Sequence, residues 1–268
     1  MRVWVASGLF YAEVFLICEV LRWIVPFVFP KPAKSLTVQL FLEFIGTLQI
    51  CTPMFDVGTV LDTYGLFGVF VEIAVIELAN SYFLRDCVAS PCPIVTSCYR
   101  GRKALKRAVC VIVVQMAGAF ASFYLSHYLF SLGLHPIHLE VAQATGCTSD
   151  LTVSLTIGAA IEGAAVILGK AVEKVASERY VDSWQQRAVN SLFSGFICAL
   201  GINLTGLYGN PIVASACTFN CLGITHFGHL AVYWISPILA WYVAEGIFGE
   251  DGDEEEPTED EDKLKKKE

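Results

Sequence analysis

Charge is what this sequence has least of. Asp, Glu, Lys and Arg make up 16% of its 268 residues, while 55% are apolar. A soluble domain carries about a quarter charged residues, so a water-soluble globule is excluded. Eleven acids and four lysines fall between Gly249 and the C-terminus, which leaves the remainder close to neutral. There is no basic stripe with interleaved aromatics, so no nucleic-acid partner is expected. The ten cysteines include no Cys-x-x-Cys pair and no Cys/His spacing suited to zinc. No metal and no disulfide framework are expected, and Cys92 and Cys221 read as small apolar packing residues rather than redox-active thiols. His135-Pro136-Ile137-His138 has proline between its histidines and no carboxylate cluster nearby, so it reads as plain loop. A Ser/His/Asp or Cys/His constellation is missing, as is a glycine-rich phosphate loop. Neither an enzyme nor a cofactor is implied.

What is present is a series of long apolar stretches. A helix needs about 20 mostly apolar residues to cross the hydrocarbon core. Seven stretches qualify, near 4–29, 36–58, 64–84, 105–132, 151–173, 187–207 and 229–248. The first is long, carries Glu13, Glu19 and Arg22, and has no small-residue cleavage site before Pro26, so it reads as a retained helix rather than a signal peptide. Lys31 and Lys34, the basic segment 85–107, the basic segment 170–187 and the tail lysines alternate with segments near 56–63, 131–150 and 207–228 that hold no Lys or Arg. Positive residues mark the cytosolic side, so the pattern predicts seven crossings with a cytosolic C-terminus.

Two further segments are too short or too polar to span. One is Ser90-Pro91-Cys92-Pro93 and the residues to Tyr99; the other is Asn210-Pro211-Ile212 and the residues to Asn220. Each opens with a helix N-cap residue followed by proline, the pattern of a helix start. About ten residues at 1.5 Å each give roughly 15 Å, half the hydrocarbon thickness. Two such half-helices entering from opposite faces would set two positive dipole ends at the membrane centre, opposing cations.

A repeat supports this reading. Glu43 lies inside the second stretch and Glu162 inside the fifth. Glu43 precedes Ser90 by 47 residues and Glu162 precedes Asn210 by 48. Each half then reads as a helix with Glu, a helix, a half-helix and a helix. An odd number of crossings inverts the second copy, the arrangement of transport proteins with broken helices. Ionisable groups inside a membrane helix are costly and need partners, so each Glu is expected to accept N–H bonds from its own re-entrant loop. Glu72, Glu77 and Asn80 make the third stretch polar and could face the centre or pair with neighbouring helices.

At these residues the chain resembles the aquaporin family, over about 36–248. Thr205-Gly206 lead into the second box, Gln115-x-x-Gly118-Ala119 resembles the third channel helix, and Trp234-x-x-Pro237 the last. It looks most like the superaquaporin, aquaporin-11-like branch, through Cys92, Cys221 and Leu42-Glu43-Phe44 followed by Thr47, Gln49 and Cys51. The resemblance implies an all-α inverted repeat in a homotetramer with one pore per subunit. It places Ser90, Pro91, Cys92, Asn210, Pro211 and Ile212 at the pore centre and Glu43 and Glu162 behind the loops. It implies a selectivity filter of Phe70, Cys198, Leu207 and Val213. Ser90 replaces the usual Asn, Ile212 an Ala, and Val213 an Arg, so the filter is apolar and uncharged.

The expected organisation is an extra N-terminal membrane helix over 1–30, a channel domain over 31–248 with repeats 36–132 and 151–248, and an acidic disordered tail over 249–268. Lys265 and Lys266 sit at the positions of a dilysine retrieval signal for the endoplasmic reticulum. The expected function is passive passage of water and small neutral solutes, glycerol and hydrogen peroxide among them, across an intracellular bilayer. A non-conducting membrane scaffold is the alternative.

Overall fold

A computed structural model describes residues 1–29, 35–85, 87–100 and 102–249. The acidic tail with Lys265 and Lys266, and the loop with Lys31 and Lys34, lie outside the described residues.

Helix α1 runs Val3–Val28 and buries Ala6, Phe10, Val14 and Cys18, one residue per turn on a single face. Its other face exposes Trp4, Leu16, Trp23 and Phe27. Water would penalise that apolar surface, but lipid solvates it. Helix α2 (Leu36–Cys51) starts at Ser35, whose hydroxyl accepts the Val38 N–H at 3.4 Å. It continues through a 3₁₀ turn, Thr52–Asp56, into α3, Val57–Phe83.

Six helical stretches are long and apolar enough to cross a membrane, and the second of them, Leu36–Phe83, has 48 residues. At 1.5 Å per residue that is about 72 Å, twice what one crossing needs. The chain reverses at Gly65, whose φ of +66° and ψ of −164° are non-helical. Contacts fix this apex. Gln49 Nε2 donates to Asn80 Oδ1 at 3.0 Å, and Tyr11 Oη bridges Asp56 and Glu72. Both pairs are centred on residue 64 or 65, as a hairpin requires. A Cβ on Gly68 would lie 2.5 Å from the Tyr64 Cβ, so the returning strand of the hairpin needs glycine there. Counted with this reversal, the six stretches among the described residues are long enough for seven crossings. The Lys/Arg-free segment 56–63, expected as a loop, is instead helical, because Pro53 falls in a 3₁₀ turn that needs no N–H from it.

After the first half-helix, α4 (Cys92–Thr96), come α5 (Arg102–Ser131) and a short α6 (Pro136–Gln143). The α6 segment corrects the expectation of plain loop. His135 Nδ1 accepts the Ile137 N–H at 3.2 Å, and His138 is fully buried with Nε2 2.9 Å from Asp56 Oδ1. The second repeat follows as α7 (Leu155–Arg179), α8 (Ser183–Thr205), the half-helix α9 (Pro211–Thr218), α10 (His226–Leu230), a π turn over Ala231–Ile235, and α11 (Ser236–Phe248).

Helix α2 packs on α5, α7 on α11, and α3 on α8. Glycines permit each approach. A Cβ at Gly118 would meet the Phe44 carbonyl oxygen at 2.9 Å, one at Gly163 the Ser236 Oγ at 2.8 Å, and one at Gly195 the Phe70 carbonyl oxygen at 2.5 Å. Small residues drive helix association in lipid because they let backbones come close.

The structure also corrects the disulfide expectation. Cys147 and Cys221, 74 residues apart, are bonded. Ser149 N–H donates to Leu222 O at 2.7 Å and Leu222 N–H to Cys147 O at 2.9 Å, so the two loops are already paired where the bridge forms. The other eight cysteines are free, and Cys92 is a buried thiol. Closing a loop of this length in the unfolded chain accounts for about 2–4 kcal/mol. Cys147→Ser, Cys221→Ser and the double variant are expected to lose the same stability in detergent, since each breaks one shared bond. Reductant should lower the wild-type unfolding midpoint and leave the variants unmoved; additive losses would sink the assignment.

Candidate functional site

Both re-entrant loops are tied to a buried glutamate. Glu43 accepts the N–H groups of Val88 at 2.9 Å and Ala89 at 3.0 Å, and Gln115 Nε2 at 3.0 Å. Glu162 accepts Tyr208 N–H at 3.2 Å, Gly209 N–H at 2.8 Å and Thr205 Oγ1 at 2.7 Å. A carboxylate with two oxygens can take this load, since it is acceptor-only when ionised. Backbone at membrane depth needs such partners because the hydrocarbon around the bundle offers none.

The loops also share a bend. Ala89 has φ +48° and Gly209 has φ +56°, and each is the residue immediately before its box. The left-handed turn aims the following side chain back at the first N–H groups of the half-helix. Asn210 Oδ1 accepts Ile212 N–H at 3.1 Å, while Ser90 Oγ accepts Cys92 N–H at 3.4 Å. The shorter serine reaches less well.

The two boxes are joined by a bond: Asn210 Nδ2 donates to Ala89 O at 2.9 Å. Around it Cys87, Ala89, Ile212 and Val213 pack with Ile50 and Cys51. Cys92 and Ile212 are buried, as is Pro211. These residues form the seam.

Beside the seam runs a cavity of about 850 Å³. Helix α2 and its extension contribute Ile50, Met54, Val57 and Leu61, spaced by three or four residues; α3 contributes Ile73, Glu77 and, just beyond its end, Leu84; α8 contributes Ser194, Ile197, Cys198 and Ile202. Helix α7 adds Val166, Lys170 and Glu173. The lining extends from Leu61, Thr148, Ser149, Asp150 and Thr152 near the hairpin end to Leu84, Lys170 and Glu173 at the other, so the cavity runs along much of the bundle's length. At one end the Tyr208 hydroxyl donates to Asp150, and Thr152 Oγ1 donates to Asn203 O at 2.8 Å. At the other, Lys170 Nζ lies 2.9 Å from Glu173 Oε2 and 4.4 Å from the Trp241 ring centre.

Of the residues singled out by sequence, Asn210, Cys198, Leu207 and Val213 line this cavity. Ser90, Pro91, Cys92, Pro211 and Ile212 are not on its wall. Phe70 is not on it either: its ring lies 6.2 Å from that of Phe67, its carbonyl faces Gly195, and Ile73, one turn on, takes the wall position. Glu72 and Asn80 pair with neighbouring helices through Tyr11 and Gln49, whereas Glu77 faces the cavity. Among the described residues no group of three or more His, Cys, Asp or Glu is placed to hold a metal.

Two loops dipping in from opposite ends, each held by a glutamate of its own repeat, beside a cavity along the bundle, define a multi-pass membrane protein of the channel type. No family model matches the chain. It is similar to putative aquaporin-10 of Caenorhabditis elegans, 27% identical over 248 residues, which cover 90% of this chain and 85% of that one. It is also similar to aquaporin-11 of Milnesium tardigradum, 22% identical over 83% of this chain and 79% of the other. Human aquaporin-11 is 22% identical, over 74% of this chain and 73% of its own length. At 22–27% identity over most of the chain, these relatives support a place in the aquaporin superfamily, on its aquaporin-11-like branch.

Proposed function

We propose that this protein is a passive channel for water and small neutral solutes, glycerol and hydrogen peroxide among them, and has no enzymatic activity. The observation that carries this reading is the cavity of about 850 Å³ with Asn210 on its wall. The amide of Asn210 gives one hydrogen to Ala89 O and keeps a second for a passing oxygen. The filter is read as Cys198, Leu207 and Val213, with Ile73 in the place expected for Phe70. It carries no charge, which suits solutes larger and less polar than water alone. Glu43 and Glu162 hold the loops, and Ser90, Pro91, Cys92, Pro211 and Ile212 form the seam behind the wall. The domain reading is an accessory helix over 1–30, a channel unit over 31–248 and a tail over 249–268, assembled as a homotetramer.

An intracellular membrane is proposed from Lys265 and Lys266, with the C-terminus in the cytosol. Cys147 and Cys221 both lie in segments free of Lys and Arg. Disulfides persist on the oxidising side of a membrane, and positive residues on the cytosolic side. The two signals support the same orientation. A non-conducting scaffold is the rival, and a cavity along much of the bundle's length gives it no support.

Stopped-flow light scattering on proteoliposomes tests the reading, under osmotic and glycerol gradients. Wild type is expected to re-equilibrate faster than empty vesicles. Asn210→Asp should lose most of that flux, because it removes the donor to Ala89 O and sets a negative oxygen against that carbonyl. Folded wild type that matches empty vesicles for water, glycerol and hydrogen peroxide would leave the scaffold reading.

A further inference from the structure

Most carboxylates inside the crossings or their loops are already engaged, Glu19 by Arg22 and Arg85 and Asp150 by Tyr208 among them. Glu43 and Glu162 hold the re-entrant loops, Asp56 and Glu72 share Tyr11, and Glu173 pairs with Lys170. Glu77 is different. It forms no ion pair among the described residues; the Asn80 side chain, three residues on, lies within its hydrogen-bonding reach, and its carboxyl lines the cavity. It stands on the same face of α3 as Ile73, one turn earlier, while Glu72, five positions back, points to α1.

Its depth follows from contacts already described. Gln49 bonds Asn80, so these two residues are level. Ile50 and Cys51 pack with Ala89 and Ile212, so that level is also the level of the seam. Glu77 is three residues from Asn80, about 4.5 Å along the axis. A solute passing Asn210 therefore passes Glu77 within about one helical turn. The wall around it is Ile50, Met54, Ile73, Cys198 and Val213, which offer no strong acceptor.

An ionisable side chain inside a membrane helix that faces a cavity marks the solute path. We propose that Glu77 is a specificity-determining residue: its carboxyl accepts hydrogen bonds from solute hydroxyls and makes the channel favour small polyols relative to water. In either protonation state the group presents an acceptor oxygen. Asn210 offers a donor, Glu77 an acceptor, and the intervening wall is apolar. A polyol, with hydroxyls on a short carbon chain, matches all three at once, whereas a water molecule pairs with either polar group but has no apolar part to set against the wall between them. The inference rests on the channel reading above.

The test measures glycerol and osmotic water permeability on the same proteoliposomes of full-length protein, for wild type, Glu77→Gln, Glu77→Asp and Glu77→Leu. The ratio of the two permeabilities is the readout. Glu77→Leu is expected to lower the ratio about tenfold, the scale of one hydrogen bond to a carboxylate. Glu77→Asp should keep most of the preference and Glu77→Gln part of it, because each retains an acceptor. Glu77→Gln is nearly isosteric, so it reports even if the leucine variant fails to fold. Water and glycerol flux in wild type with a ratio unchanged in both Gln and Leu variants overturns the role of Glu77 and leaves the channel standing. No flux in wild type removes the channel reading and this inference with it.

Discussion

Glu162→Ala should be the most damaging single change in the channel unit. The carboxylate takes bonds from Tyr208 N–H, Gly209 N–H and the Thr205 hydroxyl, and it is fully buried. Alanine leaves three donors without partners at a depth where water is scarce. Each orphaned buried group costs about 1–3 kcal/mol, so the sum is of the order of the whole stability of a typical domain. Thr205 transmits the loss further, because its carbonyl accepts the Tyr233 hydroxyl at 2.8 Å. Glu162→Gln keeps one acceptor oxygen and turns an amide donor toward an N–H, so it should lose less. Glu43→Ala and Glu43→Gln should follow the same order, through Val88, Ala89 and Gln115. Thermal unfolding of the purified variants in detergent checks the ranking. A Glu162→Ala protein as stable as wild type would mean that the loops hold themselves.

Tyr11→Phe should be the second. Helix α1 stands outside both repeats, yet it is bonded into the first at two levels. Tyr11 donates to Asp56 at 2.8 Å and contacts Glu72, while Arg22 Nη1 reaches Gln49 Oε1 at 2.6 Å and Glu19 Oε1 at 2.9 Å. Asp56 is fully buried and Glu72 nearly so. Hydrogen bonds to charged groups contribute about 1.5–3 kcal/mol, so loss of the hydroxyl should cost about 2–4 kcal/mol. Adding Glu72→Gln to Tyr11→Phe is expected to recover part of it, by removing one of two close carboxylates. That sign distinguishes a buried electrostatic clamp from simple packing, for which the second change would only add damage. Deletion of residues 1–29 should be worse than either, since it also uncovers Val38, Ile45 and Leu48 of the apolar cluster that α1 completes.

Much of this fold was legible because lipid allows few solutions. Apolar length marked the crossings among the described residues, and Ser-Pro and Asn-Pro marked both half-helices, not singly, since either is common in loops, but because the pattern occurs twice at matched distances from a glutamate. The match of Glu43–Ser90 and Glu162–Asn210 spacings pointed to the repeat, and the structure gives both glutamates equivalent partners. The loop expected near 56–63 falls a few residues short of the apex, because apolar length does not mark a reversal, whereas the positive φ of Gly65 makes it. The Cys147–Cys221 bond was missed because its partners sit in loops 74 residues apart, and pairing across loops leaves no spacing signature. His138 was read as loop for a related reason: its partner, Asp56, is 82 residues away. Phe70, expected at the filter, turns its carbonyl to Gly195 of another helix, and such a contact, which fixes the way a residue faces, leaves no mark in its own stretch of sequence. Glu77 was visible only as one polar residue among three; the period linking it to Ile73 and Leu84 would have separated it from Glu72.

The seam has a consequence for biogenesis. The donor Asn210 lies 121 residues after its acceptor Ala89, and three complete crossings, α5, α7 and α8, come between them. A chain that emerges from the ribosome in order can fill the Glu43 cradle once Gln115 has entered the bilayer. It cannot close the gap between the halves until the second box has been made and α9 has turned inward. Until then the first re-entrant loop has an open carbonyl and an uncovered apolar flank, with the second half of the molecule still missing. Slow or faulty closure at Asn210 is therefore expected to reduce the amount of folded protein before it reduces the flux of each channel.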